Sequence, residues 1–117
     1  MLHKFVTVTI DRPIGSRHPQ FKDMIYPIHY GYIKGIMGGD GQEQDAYLMG
    51  VRVPVSQYTG QVVAIIHRRD DVETKWVVAP EGCHFSKEEI EEAVAFQEKY
   101  FDSWIELRGE GSLVDKE

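Results

Sequence analysis

Apolar and polar positions alternate first in Phe5-Val6-Thr7-Val8-Thr9-Ile10, a period of two that predicts a strand with one apolar face. Asp11 to Ser16 interrupts it with Pro13 and Gly15, and Ser16 to Met24 is polar and irregular. Ile25 to Ile36 carries Tyr26, Tyr30, Tyr32 and several isoleucines, broken by Pro27 and glycines, which predicts a short aromatic strand that bends. Gly38-Gly39-Asp40-Gly41 is a loop. Ala46 to Val53 reads as a further strand, with Gly50 at a bulge or close approach. Gln57-Tyr58-Thr59-Gly60 reads as a turn, Gln61 to His67 as a central β-branched strand, Arg68 to Thr74 as a charged turn, and Lys75 to Ala79 as a strand stopped by Pro80.

The period then changes. Ser86-Lys87-Glu88-Glu89 is a capping box, with acidic residues in the first turn where the helix dipole favours them. Ile90, Val94, Gln97, Phe101 and Trp104 follow at spacings of three and four, flanked by Ala93 and Ile105. This predicts one amphipathic helix over about 87–107, with a polar tail at 108–117. Several short strands before a single helix point to a mainly β protein: a small barrel or half-open sheet, with the helix covering one apolar face. No linker or internal repeat divides the chain, so residues 1–117 are expected to form one domain.

Composition narrows the function. Hydrophobic residues make up 42% and charged residues 27%, ordinary values for a globular domain. No run approaches the roughly 20 apolar residues of a membrane span, and no signal peptide precedes the first strand, so the expectation is a cytoplasmic protein without a membrane partner. Thirteen Lys and Arg face nineteen Asp and Glu, a net charge of -6, which argues against nucleic acid as a partner. The single cysteine, Cys83, cannot form an internal disulfide and reads as a packed thiol. The five histidines show no paired metal spacing, and His29 reads as a packing or hydrogen-bonding residue.

The acidic residues concentrate in two segments. One is Asp40-Gly41-Gln42-Glu43-Gln44-Asp45; the other is Asp70-Asp71-Val72-Glu73, followed by Lys75. Hard divalent cations such as Mg²⁺ take oxygen ligands, often a few carboxylates together with water and substrate phosphate. Acidic turns are also ordinary solvated turns. The companions favour a site, because Tyr26, Tyr30, Tyr32, Arg17, Lys22 and Lys75 are all donors suited to phosphate.

The segment Tyr26-Pro27-Ile28-His29-Tyr30-Gly31-Tyr32-Ile33 resembles the Tyr-Pro-x-x-Tyr-Gly-Tyr-Ile block of the magnesium-dependent soluble inorganic pyrophosphatases. Asp40-Gly41-Gln42-Glu43-Gln44-Asp45 falls where that family has Asp-Gly-Asp-Pro-x-Asp. Asp70, Asp71 and Glu73 before Lys75-Trp76-Val77-Val78-Ala79-Pro80 match its next acidic turn and strand, and Phe96 and Tyr100 match its C-terminal helix. The resemblance runs from about Val6 to Trp104. It implies that family's fold, a five-stranded barrel of the oligonucleotide-binding type with one helix, and hydrolysis of pyrophosphate to two phosphates by metal-activated water.

The resemblance also implies roles, residue by residue. Asp40, Asp45, Glu73 and one of Asp70 or Asp71 would hold Mg²⁺, with Mn²⁺ as the other admissible metal. Lys75, Tyr30 and Tyr100 would hold phosphate, with Arg17, nearby rather than matched in register, as a further candidate. Gln42 stands where the family has the Asp that positions and deprotonates the attacking water, and an amide cannot take that proton. Glu43, beside it in the sequence, is the candidate for a substitute base. Phe101 replaces a lysine, and the segment that supplies other phosphate-binding residues is shortened, leaving only Arg17 and Lys22 nearby. The chain is shorter than ordinary bacterial members. Those members assemble as hexamers, so a homo-oligomer is implied. Two alternatives stand beside the diphosphatase: a non-catalytic module that binds metal, phosphate or a protein partner, and a hydrolase of another small phosphorylated substrate.

Overall fold

A computed structural model describes residues 4–39, 41–69 and 73–107. It contains strands β1 (Phe5–Arg12), β2 (His29–Met37), β3 (Glu43–Leu48), β4 (Gln57–Arg68) and β5 (Thr74–Ala79). Helix α1 (Lys87–Glu98) and strand β6 (Ser103–Leu107) complete it. All strands join one sheet in the order β1-β2-β3-β5-β4-β6, and β1 also pairs with β4. That extra pairing closes the first five strands into a barrel, and β6 extends β4 outside the closure. The ladders are antiparallel except β3–β5, which is parallel with Tyr47 opposite Val77. The expected five-stranded barrel with one helix is therefore the observed architecture.

Closure depends on two close approaches. A Cβ on Gly31 would lie 1.8 Å from the Thr9 carbonyl oxygen, and one on Gly60 would lie 2.6 Å from the Ala79 carbonyl oxygen. Only glycine lets these backbones pass. Gly60 corrects the sequence reading here: Gln57 to Gly60 is not a turn but the start of β4, pairing with Thr9 to Val6 to close the barrel. The glycine serves approach rather than reversal. The strand expected over Ala46–Val53 instead begins at Glu43 and stops at Leu48. Gly50 then turns with φ +85°, its Cα face against Pro80. Val51 and Val55 are apolar because they pack on the barrel core, not because they continue the strand.

The predicted helix ends nine residues early. Its start is as expected, with the Ser86 capping box intact, but Lys99 caps its C-terminus and Ser103–Leu107 forms β6 antiparallel to β4. Within Ser103-Trp104-Ile105-Glu106-Leu107 only Ile105 is buried, the alternation of a strand. Trp104 and Ile105 fitted the helical stripe by coincidence of spacing. The tail at 108–117 lies outside the described residues. Among those described, no helix is long and apolar enough to cross a membrane.

Alternation along the strands builds two cores. Val6, Val8, Ile33, Ala46, Leu48, Val62, Trp76 and Val78 fill the barrel. Tyr30, Tyr47, Ile66 and Val77 project outward, where Ile90 and Val94 of α1 and Ile105 of β6 cover them. That covered outer face continues into the candidate site.

Candidate active site

Asp45 and Tyr47 are on the same face of β3, since successive side chains of a strand alternate. The parallel β3–β5 ladder sets Ala46 opposite Trp76, so Asp45 meets Lys75 and Tyr47 meets Val77. On the other side, β2 pairs Tyr32 with Asp45 and Tyr30 with Tyr47. Lys75 is thereby surrounded. Its ammonium donates to Asp45 Oδ2 at 2.6 Å and to Tyr30 Oη at 3.0 Å, and lies 3.2 Å from Glu73 Oε1. Lys75 is 4% exposed. Burial disfavours its charge, but Tyr30 and Asp45 outweigh that, and the ammonium is held above the usual lysine range. Burial pushes the Tyr30 hydroxyl up to about 12, so it stays protonated at neutral pH.

A second cation braces the same carboxylate. Arg68, at the end of β4, donates from Nη1 to Glu73 Oε1 at 3.1 Å. Its Nε and Nη2 form a fork on Glu98, at 3.1 and 2.8 Å. Glu98 is itself buried near the end of α1, and its Oε2 also accepts the Tyr47 hydroxyl at 2.7 Å. The network runs on: Gln97 donates to Tyr47 Oη at 2.7 Å, and Arg12 donates to Tyr26 Oη at 2.6 Å. Burial and the Glu98 carboxylate together hold the Tyr47 hydroxyl well above its ordinary range. Beyond this network lies an open cleft of about 1160 Å³, lined by Tyr30, Lys75, Arg68, Lys22, Lys99 and Tyr100 among others.

Of the residues expected at the site, the structure brings together Tyr30, Asp45, Glu73 and Lys75, and puts Tyr100 on the cleft wall. Arg17 is not brought there. Its guanidinium donates to the Lys22 carbonyl at 2.9 Å and staples the loop before β2. Glu43 follows the Asp45–Tyr47 alternation and accepts the Gly35 N–H at 3.3 Å, while Gln42 is exposed just before β3. Asp40, Asp70 and Asp71 lie outside the described residues. His29 is buried, accepting the Ile14 N–H at Nδ1 and bonding the Val53 carbonyl through Nε2. Arg68 and Glu98 escaped the sequence reading, yet a signal was there. Glu98 continues Ile90 and Val94 at steps of four, and Arg68 continues Ala64 and Ile66 at steps of two. A charge on a buried face needs a partner.

The donor set suits a hard cation in kind. Among the described residues no group of three or more His, Cys, Asp or Glu could hold a metal ion. Mg²⁺ is commonly held by one or two carboxylates with waters and substrate phosphate, however, and Asp45 and Glu73 converge on one point, Lys75. The carboxylates of Asp45, Glu73 and Glu98 outnumber the cations Lys75 and Arg68, which leaves these five side chains with a net negative charge that a bound cation would offset.

No protein-family model matches the chain, and no curated protein matches it in sequence. Solved structures do match. An inorganic pyrophosphatase from Coxiella burnetii superposes with a TM-score of 0.62 at 15% identity, covering 92% of this chain and 86% of that one. One from Ehrlichia chaffeensis gives 0.64 at 14% identity, covering 92% and 88%. One from Neisseria gonorrhoeae gives 0.63 at 16% identity, covering 94% and 86%. At such identities the likeness is one of fold, and it spans nearly the whole chain.

Proposed function

We propose that this chain hydrolyses inorganic pyrophosphate to two phosphates with the help of Mg²⁺. The observation that carries the reading is Lys75, a buried ammonium held by two carboxylates and a tyrosine at the edge of an open cleft. The barrel shared with solved inorganic pyrophosphatases supports it. Lys75 holds a phosphate oxygen as a fixed positive charge, and the protonated Tyr30 hydroxyl is a second donor. Tyr100, on the cleft wall, is a further substrate contact. Asp45 and Glu73, together with Asp40 and one of Asp70 or Asp71, would hold the metal. When bound, Mg²⁺ offsets the phosphate charge and makes water a better nucleophile at neutral pH.

The attacking water needs a proton acceptor. Glu43 shares the face of β3 that carries Asp45, and a carboxylate can take the proton that the Gln42 amide cannot. As the water oxygen bonds to one phosphorus, the bridging P–O bond breaks and its electron pair leaves with the second phosphate. Positioning and charge stabilisation supply most of the barrier reduction in such reactions.

A second reading draws on the same ammonium. Lys75 already pairs with both carboxylates, which suits a module that binds phosphate without cleaving it. Phosphate release from pyrophosphate, with Mg²⁺ and then Mn²⁺, separates the two. Release that Asp45→Asn reduces at least a hundredfold supports the hydrolase. No release with either metal contradicts it and favours the binding module.

A further inference from the structure

The cleft beside Lys75 is built for more than an inorganic ion. Its volume of about 1160 Å³ exceeds the usual range for sites that enclose a drug-sized ligand. Pyrophosphate is a small polyanion with no apolar atom. The cleft walls nevertheless carry Phe21, Ile25, Tyr100 and Phe101, at 60%, 48%, 66% and 38% exposure. These side chains come from two separate segments, the loop before β2 and the turn after α1. The cations Lys22 and Lys99 line the same cleft. Exposed apolar side chains gathered in one cleft mark a binding surface rather than a folding requirement.

The aromatic residues are partly set in place by charge. The Arg68 guanidinium lies 3.6 Å from the Phe101 ring centroid, and Lys99 Nζ lies 5.3 Å from that of Tyr100. Arg68 is fixed by Glu98 and Glu73, so the same ion pairs that order Glu73 also seat Phe101. His18 and Phe21 pack with ring centroids 5.0 Å apart. The cleft thus has an anion-binding end at Lys75 and Tyr30 and an aromatic end at Phe21, Tyr100 and Phe101.

We propose that the ligand is a nucleoside di- or triphosphate, its phosphates at Lys75 and its base stacked among Phe21, Tyr100 and Phe101. Charge complementarity selects the phosphate chain, and planar rings select a planar base: stacking of a base on an aromatic side chain contributes about 1–3 kcal/mol. This rests on the hydrolytic reading above, with a changed leaving group. Water adds to the terminal phosphorus, the anhydride P–O bond breaks, and a nucleoside phosphate leaves with the electron pair.

Calorimetric titration in Mg²⁺ tests the assignment without turnover, using non-hydrolysable probes: methylenediphosphonate, its adenosine ester and an alkyl ester. The adenosine ester is expected to bind at least tenfold more tightly than either other probe, and Phe21→Ala is expected to remove most of that advantage while leaving methylenediphosphonate affinity unchanged. Phe101→Leu, a second variant, should also reduce it. Equal affinity for all three overturns the nucleotide assignment and leaves pyrophosphate hydrolysis standing. Equal affinity of the alkyl and adenosine esters, both above the parent, overturns stacking as its cause. Failure of every probe to bind overturns this assignment and the anion site together.

Discussion

The two faces of one sheet obey different rules. Inside the barrel, Val8, Leu48, Val62 and Val78 are fully buried among apolar neighbours, and the buried Gln44 on the same face of β3 spends its amide on backbone carbonyls. Outside it, one residue along each strand, Tyr47, Ile66 and Val77 are as deeply buried, yet Arg68, Lys75 and Glu98 lie among them. The inner face removes apolar surface from water and is tolerant of shape within limits of volume. The outer face gains little net stability from its charges, since desolvation offsets much of their attraction. What it gains is fixed geometry: Glu73 is held from two sides and Lys75 from three. Stability resides mainly in the one face and the candidate chemistry in the other.

That contrast can be broken most sharply at Glu98. Glu98→Ala leaves the Arg68 fork buried without its main counter-charge, and the loss expected from denaturant unfolding is about 3–5 kcal/mol. On the inner face Leu48→Ala removes apolar contacts only, with an expected loss of about 2–5 kcal/mol. The two differ in how they are repaired. Replacing Arg68 and Glu98 together by apolar residues is expected to recover most of the stability, because no uncompensated charge remains. A Leu48 cavity has no such partner. If the double replacement is as unstable as Glu98→Ala, the outer face depends on its charges for stability and the contrast fails.

The smaller effect is one of pH. Tyr30 binds its proton more tightly in the folded chain, at about 12, than at its ordinary value near 10. Its contribution is fully present below pH 10 and is lost as pH climbs from 10 to 12, on the order of 2–3 kcal/mol. Lys75 and Tyr47 are shifted upward too and add in the same direction. Denaturation midpoints measured across this window should fall, and Tyr30→Phe should flatten part of the slope. An unchanged slope in that variant would remove Tyr30 from the alkaline transition.

The sequence made the barrel legible because its strands alternate cleanly and its helix opens with a capping box. It misled where one residue type serves two purposes. Gly60 resembles a turn glycine but permits strand crossing, and Trp104 and Ile105 satisfy a helical spacing while lying in a strand. The site was legible through short local patterns at Tyr30, Asp45, Glu73 and Lys75. Arg68 and Glu98 are 30 residues apart. Their pairing is decided by the packing of α1 on β4 and β6, which no local pattern records. Arg17 sits close in sequence to the aromatic block, and proximity along the chain did not become proximity to Lys75.

The Lys75 ammonium as anchor of the reacting phosphate is tested most directly by phosphate release from pyrophosphate in Mg²⁺, measured for the wild-type chain and for Lys75→Met. Release by the wild type is expected, with at least a hundredfold lower kcat in the variant and the fold retained by circular dichroism. Equal kcat in a folded Lys75→Met would contradict it and move the chemistry away from the outer face of β5.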